Sequence, residues 1–280
     1  MIIANDSQQL TKERHSLKGT IALVTTMGNL HEGHLALVKQ AIKEADHVIV
    51  TIYVNPLQFS VGEDLDSYPR TLKDDIKKLE KLDVDLLFTP TDSEIYPGGM
   101  EYHTQVMVPD LSYLHCGAYR KGHFLGVSTI VCKLFNLTRP DVALFGNKDY
   151  QQLTIIRKMV SDLAMPIKLI GLPTYREESG LAMSSRNRYL SAEEKKLAST
   201  LYNNLLIAEE QLKSGSTDFR NIEELAKSDL TQKGFEVEFF SICNQENLSP
   251  ATPGEKQLVI LAATKLGKPR LIDNIIVNLP

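Results

Sequence analysis

Thr25-Thr-Met-Gly-Asn-Leu-His-Glu-Gly-His34 is the stretch that decides the fold. Before it, Gly19–Val24 is a short apolar run with β-branched residues, which reads as a buried strand. After it, Leu35–Ala45 has apolar residues at helical spacing. The stretch is therefore a strand-to-helix turn. Gly28 can take backbone angles that a side chain would forbid, and Gly33 lets a ligand approach the backbone. His31 and His34 stand three apart and point the same way on one helical turn. With the free N–H groups of the first turn they suit a polyphosphate, and they can offer hydrogen bonds to charge developing on it. A zinc pair would need further ligands and the more usual helical spacing of four. A plain surface turn does not call for Met-Gly before the histidines and Gly between them.

Outward from this turn the same unit recurs. His47–Val54 is a second apolar strand, closed by Asn55-Pro-Leu-Gln-Phe59, so the first two strands and their helix form a βαβ unit and a parallel sheet. Ligands of such sheets sit outside the carboxyl ends of the strands, where Asn55 and Gln58 fall, either as ligand contacts or as turn chemistry. Val84–Phe88, Asp141–Phe145 and Ile167–Gly171 read as further strands, and Thr104–Val108 alternates like a weak one. Thr71–Leu82 reads as a helix capped by Thr71, with Asp74 and Asp75 complementing its dipole rather than holding magnesium. Arg120, Lys121 and His123 form a cationic cluster ahead of a helix running to Leu137, as an anion site or a solvated loop. Gly146-Asn-Lys-Asp149 joins a strand to helix Tyr150–Ser161, with Lys148 placed to reach a phosphate. The predicted class is α/β: a Rossmann-like parallel sheet with helices on both faces and polar turns on one rim.

From Ser191 the composition shifts. Helices over Ala192–Ser214 and about Thr217–Lys233 precede strands Phe235–Ile242, Gln257–Ala263 and Arg270–Val277, the last two a hairpin turning at Gly267-Lys-Pro269. This predicts a smaller C-terminal α+β domain, with 1–174 and 175–280 as the two domains and Pro173–Ser185 as hinge. At 280 residues the chain can bury a substantial core. A net charge of −4 argues against an electrostatically driven nucleic-acid binder. Cys116, Cys132 and Cys243 show no disulfide or zinc spacing and read as reduced thiols of a cytoplasmic protein. The N-terminus lacks a signal-peptide core and no apolar run reaches spanning length, so no membrane role is expected.

The Thr25–His34 stretch resembles the HIGH signature of the class I aminoacyl-tRNA synthetase and nucleotidyltransferase superfamily, whose members bind ATP there and transfer its adenylyl group. The resemblance narrows when the other motifs are added in order. P-T-M-G-x-L-H-x-G-H, N-P-x-Q-F, E-D-x-x-x-Y-P-R, R-x-G-H-F-x-G-V, G-x-K-D-x-Q-Q and G-L-A-M-S-S-R-N are the patterns of the pantoate–β-alanine ligases. They match Thr25–His34 (Thr in place of the usual Pro), Asn55–Phe59, Glu63–Arg70, Arg120–Val127, Gly146–Gln152 and Gly180–Asn187. The resemblance covers most of the first 190 residues.

It implies that ATP and pantoate form an acyl-adenylate, which the amine of β-alanine attacks to give pantothenate, AMP and pyrophosphate. It implies His34 as proton donor, with His31, Lys148 and Arg186 as the other catalytic groups. Met27, Gly28, Asn29, Leu30, His31, Glu32, Gly33, His34, Gly146, Asn147, Lys148, Asp149, Tyr175, Met183, Ser184, Ser185 and Arg186 would bind ATP. Gln58, Gln152, Asn55, Tyr68, Arg120 and His123 would bind pantoate and β-alanine. Mg2+ would ride mainly on ATP oxygens and water. The C-terminal domain would act as a lid, and the family suggests a homodimer. Pro173-Thr-Tyr-Arg176 departs from the family's Pro-Thr-Val-Arg: Tyr175 replaces a small apolar residue that the family places beside adenine, so with a main-chain contact binding would survive and the ring would point elsewhere or stack. Rivals at this level are another adenylyltransferase of the superfamily, a truncated tRNA enzyme, and a nucleotide-sensing module without catalysis.

Overall fold

The computed structural model describes all 280 residues. Six strands, β1 (Ile2–Ala4), β2 (Ile21–Thr26), β3 (His47–Ile52), β4 (Leu86–Phe88), β5 (Val142–Gly146) and β6 (Lys168–Leu172), form one sheet. Its order is β1-β4-β3-β2-β5-β6 and every pair is parallel. Alternation along β2 shows why both faces must be covered. Ile21 and Leu23 enter one core, with Leu10 of helix α1 (Ser7–Ser16), Ile130 of α6 (His123–Thr138) and Ile155 of α7 (Tyr150–Asp162). Ala22 and Val24 enter the opposite core, with Val38 of α2 (Glu32–Glu44) and Leu79 of α3 (Leu72–Leu79). Two one-turn helices, α4 (Asp92–Ile95) and α5 (Cys116–Tyr119), lie in the connections. The chain runs outward from β2 through β3 and β4, then returns to place β5 and β6 on the other side. The reversal opens a crevice beyond the carboxyl ends of β2 and β5, the place where such sheets take ligands.

The C-terminal part holds helices α8 (Ala192–Ala198), α9 (Thr200–Lys213) and α10 (Phe219–Gln232) and an antiparallel sheet β7-β8-β9. Its strands are β7 (Glu236–Asn244), β8 (Gln257–Lys265) and β9 (Arg270–Asn278). One face of this sheet packs on α9 and α10 through Phe240, Ile260, Leu205 and Leu230. The other face joins the core of the parallel sheet: Phe239, Cys243, Val259, Leu261 and Ala263 cluster with residues of α6 and α7. A buried ion pair ties the connecting loop to β9, Arg176 meeting both oxygens of Asp273 at 2.6 and 2.9 Å.

Several sequence expectations change. β1 and α1 are additions to the predicted elements, because a three-residue edge strand is too short to show a period. Thr104–Val108 joins no sheet; the N–H of Val106 donates to the Thr129 hydroxyl and its carbonyl accepts from Ser128, so its polar groups are taken up by α6. The helix expected over Ala192–Ser214 is two helices, broken at Ser199, whose hydroxyl bonds back to the Lys196 carbonyl. Thr71 is the N-cap residue of α3, as expected, but its side chain caps no N–H; its hydroxyl donates to the Asp75 carboxylate. No helix is long and apolar enough to cross a membrane.

Candidate active site

The turn after β2 is built on Gly28, at φ +81, and on Asn29, at φ +50, both in the left-handed region. His31 is the N-cap of α2 and His34 sits three residues on, their rings stacked with centroids 4.0 Å apart. The backbone N–H of His31 donates to Nδ1 of His34 at 3.3 Å. Nδ1 is therefore the acceptor nitrogen, and the neutral ring carries its hydrogen on Nε2. Burial, followed by the neighbouring His31 and Lys148, lowers the pKa of His34 to about 3. Burial and Lys148 lower that of His31 to about 4. Both imidazoles are neutral donors at neutral pH. Gly33 has a different use from the one expected. A Cβ there would lie 3.0 Å from the His31 ring, so the glycine makes room for that imidazole rather than for a ligand alone.

A single cleft at the crevice gathers the predicted residues from both halves of the chain. Met27, His31, Gly33, His34, Asn55, Gln58, Tyr68, Arg120, His123, Gly146, Lys148, Asp149, Gln152, Tyr175, Met183, Ser184, Ser185 and Arg186 all line it. Gly28, Asn29, Leu30, Glu32 and Asn147 do not. Leu30 is a core side chain, and Asn147 is a support, its carbonyl and that of Lys148 both accepting from Asn274 of β9 at 2.8 Å. Val131 and Leu134 of α6 extend Val127, the last residue of its motif, into an apolar wall that the motifs did not announce. Tyr175 remains 45% exposed at the rim, and its carbonyl accepts from Met183 N–H at 2.9 Å.

The polar residues divide into free and committed ones. Asn55 is buried and fully bonded: its amide donates to the Gly126 carbonyl at 3.1 Å and to Gln58 at 3.3 Å, while its oxygen accepts from Tyr96 at 2.8 Å. It orients the Gln58 carboxamide. Adjacent glutamines on α7 part company. Gln151 is bonded to Cys116, Leu111 and Leu114, whereas Gln152 faces the cleft with no protein partner. The expected cationic cluster at 120–123 is not one. Burial holds His123 neutral, its pKa near 3, with Nδ1 donating to the Gln58 carbonyl at 2.7 Å and Nε2 accepting from Arg120. Arg120 is paired to both oxygens of Glu63, each at 2.7 Å. Arg186 is likewise paired, to Asp64 at 2.7 and 3.0 Å, and its guanidinium lies 5.6 Å from the Tyr68 ring. Lys148 is the cation of the cleft with no side-chain partner, and Asp149 is the single acidic side chain lining it. No three His, Cys, Asp or Glu side chains converge as a metal cage.

A doubly wound parallel sheet with a glycine–histidine turn, a lysine turn and a Ser-Ser-Arg loop closing on one crevice defines an α/β enzyme. A sequence model of the pantoate-beta-alanine ligases matches residues 2–276. The pantothenate synthetase of Hahella chejuensis is 52% identical over 274 residues, covering 98% of this chain and 97% of that one. That of Idiomarina loihiensis is 54% identical over 255 residues, covering 91% and 90%. Among solved structures, pantothenate synthetase from Thermus thermophilus superposes with TM-score 0.92 at 42% identity over 98% of this chain and 99% of that one. Pantoate-beta-alanine ligase from Francisella tularensis, complexed with beta-gamma ATP and beta-alanine, gives 0.84 at 36%, covering 99% and 97%. This chain belongs to the pantoate-beta-alanine ligase family, and it is a ligase.

Proposed function

We propose that the enzyme condenses pantoate with β-alanine, coupled to cleavage of ATP, through a pantoyl-adenylate. The observation that carries the reading is the convergence of His31, His34, Lys148 and the Ser184–Arg186 loop with Gln58 and Gln152 in one cleft. The Francisella relative, in complex with beta-gamma ATP and beta-alanine, supports ATP and the amine as ligands.

In the first step a pantoate carboxylate oxygen attacks the α-phosphorus and the bond to the β-phosphate oxygen breaks, releasing pyrophosphate. His34, neutral with hydrogen on Nε2, offers a fixed hydrogen bond to the α-phosphate oxygens rather than a proton. Lys148 faces the β- and γ-phosphates, and Ser184, Ser185 and Arg186 balance the leaving charge. To do so Arg186 exchanges Asp64 for a phosphate. Gln58, aimed by Asn55, and Gln152 hold pantoate, since a carboxamide serves both hydroxyl and carboxylate. Arg120 and His123 act by holding the Gln58 backbone. In the second step the β-alanine nitrogen attacks the acyl carbon, AMP leaves and the nitrogen loses a proton. Mg2+ would be held mainly by ATP oxygens and water, with Asp149 the acidic side chain of the cleft that could join them, and it would supply charge neutralisation.

The two-domain reading divides the chain at 174/175, and the core shared by β7, β8, α6 and α7 favours closure by the loops 62–70 and 183–189 over movement of the whole C-terminal body. These loops already touch through Arg186–Asp64 and through Tyr189 donating to the Ser67 carbonyl. The three free thiols accord with a cytoplasmic setting, and the family reading adds a homodimer acting on small molecules alone. The test is pantoate-dependent exchange of labelled pyrophosphate into ATP. Exchange without β-alanine is expected; an absolute need for β-alanine would remove the adenylate.

A further inference from the structure

Two adjacent acids open α3, and they have different fates. Asp74 is exposed beside Lys77, as a residue serving the helix dipole would be. Asp75 is fully buried, at 0% exposure. Its carboxylate reaches across to the histidine turn, 45 residues away in sequence. Oδ1 accepts from the N–H of Leu30 and Oδ2 from that of Asn29, each at 2.8 Å, and Oδ2 also takes the Thr71 hydroxyl at 3.0 Å. One helical step on, Lys78 Nζ donates to the Leu30 carbonyl at 2.6 Å. Both backbone polar groups of Leu30 are thus held by side chains of α3, and Asn29 and Leu30 have no backbone partner for their N–H groups. The next residue is His31, whose own N–H fixes Nδ1 of His34.

We infer that Asp75, assisted by Lys78, is the positioning residue of the histidine turn. It holds Asn29 in its left-handed conformation and fixes the peptide that leads into His31. That in turn sets the direction of the His34 Nε2–H. A carboxylate is needed because two converging N–H groups require two acceptor oxygens. An asparagine would turn its own NH2 against one of them, leaving a buried donor unpaired. The inference rests on the reading of His34 as the phosphate donor, and it predicts an effect on the chemical step rather than on substrate affinity, since Asp75 does not line the cleft.

The experiment is a cycle of Asp75→Asn, His34→Ala and the double variant, read by single-turnover adenylate formation and by KM for ATP and pantoate. Asp75→Asn should lower the adenylation rate about 10–100-fold with KM changed less than about threefold, and should cost nothing further in the His34→Ala background, because groups acting as a unit are not additive. Should Asp75→Asn fail to fold, Lys78→Met breaks the Leu30 carbonyl bond alone and should show the same pattern with a smaller loss. Additive losses, or a rise in KM with an unchanged rate, would overturn the inference and leave the reading of His34 standing. A His34→Ala enzyme of normal rate would overturn both.

Discussion

Replacing His34 with alanine should remove the catalytic donor of the turn and leave the architecture standing. The bond from His31 N–H to Nδ1 is long, at 3.3 Å, and the turn itself is held from α3 through Asp75 and Lys78. What is lost is one preorganised Nε2–H. A single such donor is worth about 10²–10³ in rate, or about 2.7–4 kcal/mol of transition-state stabilisation. The burst of acyl-adenylate in a quenched-flow single turnover, with ATP and pantoate saturating and β-alanine absent, measures that step directly. Far-UV circular dichroism and the thermal midpoint report whether the fold survived. The pH profile adds a second arm. With its pKa at about 3, His34 stays neutral across the working range, so the adenylation rate should show no limb near pH 6.5 that depends on His34. Near-normal adenylate formation in His34→Ala would refute the role. So would a wild-type limb near pH 6.5 that disappears in the variant, because that would make the imidazolium the active form.

Gln58→Ala and Gln152→Ala should raise KM for pantoate more than for ATP, by about 1–3 kcal/mol of lost pairing, as steady-state kinetics with each substrate varied will show; a larger loss in ATP affinity would redraw the site. Arg186→Lys should slow adenylation although the charge is kept, since an ammonium cannot replace the planar fork that now grips both oxygens of Asp64; wild-type single-turnover rates would contradict this. Hydrogen exchange over residues 180–190 should slow when ATP and pantoate bind, and unchanged protection would make that loop a static wall. Stability should fall on acidification. His31, His34 and His123 have folded pKa values of about 4, 3 and 3 against 6.5 unfolded, so the unfolded chain binds more protons below pH 6.5. Their contribution is complete above pH 6.5 and is lost as pH drops to about 4 for His31 and about 3 for His34 and His123, at about 1.4 kcal/mol per histidine per pH unit. Urea unfolding at about pH 7.5 and about pH 5 measures it; an equal loss in His123→Gln would exclude that histidine as a source.

Sequence alone determined the features that are local. The glycine and histidine spacing at 28–34, the apolar runs of β2, β3 and β5, and the lysine turn at 146–149 each act within about ten residues, so period and turn chemistry expose them. Even the antiparallel hairpin of β8 and β9 was readable from its Gly267 turn. What tertiary structure decided is who pairs with whom over long separations. Asp75 looks like a dipole acid until the fold sets it under the turn of Asn29 and Leu30. Gln151 and Gln152 are one dipeptide, and only the packing of 111–116 against α7 binds the first and frees the second. His123 reads as a cation until burial and Arg120 make it neutral, and Arg186 reads as a free phosphate ligand until Asp64, 122 residues away, takes its charge. Residue type fixes what a group is able to bond. Desolvation and long-range neighbours, which no short window of sequence contains, fix its partner and its charge.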